Sequence, residues 1–170
     1  MRRTDTSTDV NNKGEIDRTI DFPAELLKHE LKYGAEGITM IGEPQLFCFQ
    51  RPWKDDPADQ VKLLAYNLKT SSWGAVRYPL EHAGKGWVGL SAIVSHGDQV
   101  YLIERDNQLG ESAVVKRLYS VSKDQLKPAA IGSNLPVVKK KLVHDFMLDL
   151  KSLNGYVQDK IEGFTVDAAG

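Results

Sequence analysis

An all-β chain of repeated four-stranded units, the blades of an incomplete β-propeller with a short helical insertion, is what this sequence predicts. Three observations predict it. A phrase of Gly, apolar, Ser or Thr, apolar occurs as Gly37-Ile38-Thr39-Met40, Gly89-Leu90-Ser91-Ala92 and Gly163-Phe164-Thr165-Val166. The copies lie 52 and 74 residues apart, counted from Gly37 to Gly89 and from Gly89 to Gly163. Repeats of roughly 40–50 residues made of short strands mark a propeller blade. Between the copies, apolar residues alternate with period two and turn residues interrupt them. The third copy begins close to Gly170, so the sequence reads as part of a larger propeller.

The elements follow in order. Residues 1–18 are polar and rich in Thr, Ser, Asp and Asn, which predicts a disordered arm; residues 19–170 form the partial propeller, truncated at its C-terminus. Asp21-Phe22-Pro23 before Leu26, Leu27 and Leu31, with Gly34 beyond, suits either a short capped helix or an outer strand of a neighbouring blade. Ile38–Ile41 and Leu46–Gln50 are strands around the turn Gly42-Glu43-Pro44. A charged loop from Arg51 to Pro57 precedes a hairpin of Val61–Leu68 and Trp73–Leu80, which completes one blade. The second blade repeats the plan with Leu90–Ser95, Gln99–Arg105, Ala113–Val121 and a weak fourth strand near Ala129–Ile131. Leu142, Phe146, Leu150 and Leu153 share one helical face ahead of Asn154-Gly155, so 142–155 is the helical insertion that lengthens the second spacing.

Composition narrows the function classes. Apolar residues make up 41% and charged residues 26%, and 22 basic against 23 acidic residues leave a net charge of −1. That balance gives no pull toward nucleic acid or an anionic membrane. The one basic run, Lys139-Lys140-Lys141, reads as a solvated edge or loop. No apolar stretch approaches the roughly 18 residues of a membrane-spanning helix, and the N-terminus lacks the apolar core of an export signal. Cys48 is the only cysteine, which excludes an internal disulfide; flanked by Phe47 and Phe49, it reads as a buried thiol. The four histidines share no metal-ligand spacing, and no nucleophile elbow or phosphate-cradling glycine loop is present.

Strand geometry points to where chemistry would sit. In an antiparallel blade the start of the innermost strand and the end of the second strand lie at one edge. Glu36 and Glu162 precede innermost strands, and Glu104, Arg105, Asp106 and Asn107 end a second strand. Lys54, Asp55, Asp56 and Asp59 follow the equivalent strand one blade earlier, so these groups are expected on one rim near the central channel. Carboxylates converging there would suit Ca²⁺, a hard cation that takes 6–8 oxygen ligands. Glu36, Glu104, Asp106 and Glu162 are the candidate metal and catalytic residues, with Arg105 as the candidate stabiliser of an anionic transition state.

Taken with their neighbours, the repeats resemble the phytase-like family, also called the esterase-like activity of phytase family. The resemblance rests on Gly34-Ala35-Glu36-Gly37-Ile38-Thr39, on Gly89-Leu90-Ser91 and on Val100-Tyr101-Leu102-Ile103-Glu104-Arg105-Asp106-Asn107. Arg117-Leu118-Tyr119-Ser120-Val121 and Lys160-Ile161-Glu162-Gly163-Phe164-Thr165-Val166-Asp167 extend it over residues 33–170. The resemblance implies a β-propeller hydrolysing a small-molecule phosphoester with calcium assistance, and an exported protein. Two other readings stay open: a non-catalytic propeller that binds a protein or glycan on its rim, and a lactonase-type propeller that uses one calcium. Blade edges left exposed are expected to favour self-association.

Overall fold

The computed structural model describes residues 6–23 and 34–167. Strands β1 (Thr6–Val10) and β2 (Ile16–Asp21) pair as an antiparallel hairpin. This hairpin occupies much of the segment whose polar composition suggested a disordered arm. Its turn closes through Asn11, whose side-chain oxygen accepts from the backbone N–H of Lys13 and Glu15. The alternative of a helix or outer strand after Asp21 falls largely on residues 24–33, outside the described residues.

The first blade is a four-stranded antiparallel sheet in the order β3 (Ala35–Met40), β4 (Pro44–Phe49), β5 (Gln60–Asn67), β6 (Ser72–Pro79). The second is built the same way from β7 (Val88–His96), β8 (Gln99–Asp106), β9 (Lys116–Ser122) and β10 (Lys141–Asp145). Two such sheets in an open arrangement fit an incomplete propeller. The central strands are apolar nearly throughout, because both faces are covered. Leu46, Cys48, Val61, Leu63, Val76, Leu90, Val100 and Leu102 join one core that runs through both sheets. Phe22, just after β2, lies 5.2–6.0 Å from the rings of Phe47, Phe49 and Trp73 and packs onto that core. Burial drives the Cys48 thiol up to about 12, so it is an inert core group.

The repeated phrase has a packing cause. The two innermost strands, β3 and β7, meet face to face, and their glycines sit where a side chain would not fit. A Cβ at Gly37 would lie 3.0 Å from Ile93 Cγ2 and 3.2 Å from Cys48 Sγ. One at Gly89 would overlap the Gln50 carbonyl oxygen and lie 3.0 Å from the Trp87 ring. That same carbonyl accepts the Leu90 N–H at 3.0 Å, stitching the first blade to the second. The Ser or Thr of the phrase adds another stitch: Thr39 Oγ1 accepts from the Ser95 N–H at 3.0 Å.

Two expectations about the second blade are corrected. Residues near Ala129 do not form its fourth strand. They cap the outer edge of the first blade instead, where Ala75 and Ala129 exchange hydrogen bonds of 2.9 and 3.0 Å. Farther along, the Arg77 N–H donates to Pro136 and the Val138 N–H donates back to Arg77. An unpaired edge is a liability, and this segment pairs it. The true fourth strand is β10, which includes Leu142. The helical reading of 142–155 therefore shrinks to α1 (Met147–Lys151) and a 3-10 turn over Ser152–Asn154. Leu142 is 49% exposed on an edge strand, so its spacing from Phe146 and Leu150 reported no common buried face.

Candidate functional site

Pairing at the blade edge matches the strand argument: Val88 opposes Asp106, and Ala35 opposes Phe49, one residue before Gln50. The rim therefore gathers the start of each innermost strand and the end of its neighbour. The expected acids do not, however, share one environment there.

Glu104 is fully buried between the two blades. Tyr78 Oη donates to it at 3.0 Å, Lys140 Nζ at 2.7 Å, and the Glu81 backbone N–H also donates. Burial raises the Glu104 pKa, and the Lys140 ammonium offsets only part of that rise. Lys140 comes from the run expected to be solvated. Its stem is instead inserted between the blades, with Nζ 4.2 Å from the Tyr119 ring centroid and 5.2 Å from that of Tyr78. Asp106 is equally buried but differently held. Its carboxylate accepts from the Val114, Val115 and Gln108 N–H groups at 2.6, 2.8 and 3.2 Å, and from Lys116 Nζ at 2.8 Å. Desolvation pushes its pKa up, yet these donors outweigh that and hold it below the ordinary value.

Arg105 lies between these acids along β8 and has partners of its own. Its Nε donates to Ser91 Oγ at 3.0 Å, and its Nη1 reaches Asp159 at 3.4 Å. Glu162 is exposed, 4.0 Å from Arg105 Nη2 and 3.1 Å from Lys160. Glu36 is exposed and sits at a bulge, skipped in the pairing of Ala35 with Phe49 and Gly37 with Cys48. Glu36, Glu104, Asp106 and Glu162 thus do not assemble into a ligand set. Among the described residues no group of three or more His, Cys, Asp or Glu side chains is placed to hold a cation. The residues present do not fit calcium at the expected position, because the two buried acids already satisfy lysines and backbone donors.

The rim does contain a cleft of about 750 Å³, walled by the β4–β5 and β6–β7 loops. Arg51, Lys54, Asp59, Glu81, His82 and Trp87 give it its polar and aromatic character. Asp56 fixes the first loop: its buried carboxylate accepts from the Trp53 N–H at 2.9 Å, from Arg77 at 2.8 Å and from Lys62. Glu81 fixes the second through Tyr119 Oη at 2.9 Å and Lys140 at 3.0 Å. Partial burial raises the Glu81 pKa, but those hydrogen bonds prevail and it lies below the ordinary range. Trp87 closes one end, with the Arg51 guanidinium 4.8 Å and the Arg105 guanidinium 5.3 Å from its ring. The strand argument anticipated Lys54 and Asp59 near the rim. It missed Glu81 and His82, which belong to an irregular inter-blade loop with no periodicity to expose them.

This rim is walled by a loop of the first blade and by the connection that leads into the second. The model of the phytase-like family, described as esterase-like activity of phytase, matches residues 8–170. The chain belongs to the phytase-like family. No curated protein and no solved structure matches it. The phytase-like match spans both blades and the third copy of the repeat, and it makes the chain a hydrolase-like propeller protein at the coarse level.

Proposed function

We propose that this phytase-like chain hydrolyses phosphoesters in the rim cleft between its two blades. The cleft lining supports this reading. Arg51 and Lys54 are cations suited to phosphate oxygens, and they share the lining with Asp59 and His82, groups able to move a proton. Hydrolysis needs a water to lose a proton as it attacks phosphorus and the leaving alkoxide to gain one. A carboxylate such as Asp59 serves the first step. An imidazole such as His82, able to donate a proton from a ring nitrogen, serves the second. Glu81 is too firmly held by Lys140 and Tyr119 to act as a base and instead orders the loop that carries His82. Trp87 offers a flat apolar wall to the organic part of an ester.

Turnover of phenyl phosphate, a phosphodiester and a carboxyl ester is the test, measured with calcium and with a chelator. Phosphate-ester turnover that falls at least about tenfold in His82→Gln and Asp59→Asn supports the reading. Turnover of the carboxyl ester alone would replace phosphorus with carbon as the reacting centre. A second reading, a rim that binds without catalysis, draws on the full engagement of Glu104 and Asp106 in interior pairs. Saturable ligand binding with no turnover of any ester would favour it.

A further inference from the structure

We propose that Arg105 anchors a seat for a tetrahedral oxyanion, a phosphate group, roofed by the segment Asp159–Glu162. Arg105 is 1% exposed, and its Nη2 is a buried donor with no hydrogen-bond acceptor among the described residues. Leaving a charged donor unsatisfied is costly, and interiors retain such an atom where something else is meant to meet it. The neighbouring cation offers no such vacancy. Lys116 Nζ already reaches Asp106 O and Oδ1 at 2.8 Å, Gln108 O at 3.2 Å and Asp159 O at 2.7 Å. Arg105 Nε is likewise committed to Ser91, and the guanidinium lies against Trp87, the residue that closes the rim cleft. What remains is the outer edge of the guanidinium, the edge that pairs with phosphate in a bidentate fashion.

Carboxylates cover that edge loosely. Asp159 Oδ1 is 3.4 Å from Nη1 and Glu162 Oε1 is 4.0 Å from Nη2, the first at the long end of hydrogen bonding and the second beyond it. Both acids are partly exposed, and among the described residues nothing crowds Gly163, the residue after them. The roof therefore behaves as a weak internal competitor: its charges neutralise Arg105 when the seat is empty and give way to a doubly charged phosphate. The choice of phosphate rests on the phosphoester reading, whereas the seat itself rests on the orphaned donor.

Calorimetric titration of inorganic phosphate, and separately of phenyl phosphate, into the full chain, E162Q and R105K tests this. E162Q removes the competitor at an exposed position and is expected to tighten binding about two- to fivefold. R105K keeps the charge but loses the planar fork, and is expected to weaken binding about tenfold. A preference for phenyl phosphate assigns the seat to the bound ester, and a preference for phosphate assigns it to the free anion. No saturable binding in the wild-type chain or E162Q, or equal affinity in the two, overturns the proposal whether or not R105K folds. Hydrolysis that persists without phosphate binding removes the seat alone; binding without hydrolysis removes the catalytic reading alone.

Discussion

Replacing each glycine of the repeat by alanine tests whether the repeat is a packing code, because the three copies meet different surroundings. At Gly89 the added methyl overlaps the Gln50 carbonyl oxygen and sits 3.3 Å from its carbon, both backbone atoms with no rotamer to yield. Relief requires the blades to separate, which also strains the 3.0 Å bond from the Leu90 N–H to that oxygen. Overpacking costs about 1–3 kcal/mol and a lost hydrogen bond about 1 more, so Gly89→Ala should cost about 3 kcal/mol. At Gly37 the approach is looser, with Ile93 Cγ2 at 3.0 Å and Cys48 Sγ and the Ile93 backbone nitrogen at 3.2 Å, so the neighbours need give by only a few tenths of an ångström. About 1 kcal/mol is expected there. At Gly163 nothing among the described residues lies within 4 Å, so alanine should be neutral or stabilise by about 0.5 kcal/mol through the unfolded chain. At about 2–4 °C per kcal/mol for a chain of this size, the midpoints should fall by about 6–12 °C, by about 2–4 °C, and not at all. Thermal unfolding followed by circular dichroism reads all three. Equal costs at Gly89 and Gly163, or a harmless Gly89→Ala, would refute the argument.

Other outcomes follow from the buried charges. Lys116→Met leaves Asp106 ionised with only its backbone donors, and should cost about 3–5 kcal/mol by urea denaturation; a loss below about 1 kcal/mol contradicts that pairing. The Asp106 pKa is lowered in the folded chain, so the unfolded chain takes up the proton first as pH falls and stability rises with pH across that window. Stability should hold above the ordinary Asp value near 3.8 and fall as pH drops through it, less steeply in Lys116→Met. Lys140→Met should loosen both Glu104 and Glu81, lowering the unfolding midpoint and also hydrolysis in the cleft; an unchanged rate would detach Glu81 from the site. Calcium titrated into the chelated chain should leave the unfolding midpoint in place. A site filled at 100 times its dissociation constant would add about 2.7 kcal/mol, so a saturable shift specific to calcium would show that the acids regroup around the ion.

The sequence by itself determined the plan of four-stranded antiparallel blades as far as the third strand of the second. Turn residues bound β4 to β9, and the strands between them read as short apolar runs where both faces are buried and as period-two alternation where only one is. The spacing of the glycine phrase was equally legible, since only a missing side chain lets β3 approach Ile93 and β7 approach Gln50. So was the placement of Glu104, Arg105 and Asp106 at the end of β8, which follows from strand direction alone. Tertiary structure decided what each of them does. Whether a rim carboxylate faces solvent, a metal or a lysine depends on partners remote in sequence, as with Glu104 and Lys140, 36 residues apart. The same holds for Lys140, whose charge run reads as surface until two tyrosines from different blades close around it. Edge elements were the least legible: β10 and the strand-capping segment near Ala129 bury little, so the chain carries no periodicity to announce them. Arg105 shows the division most sharply. Its position follows from the strand, but its unpaired donor beneath Glu162 exists only once β8 and the 159–162 segment are brought together.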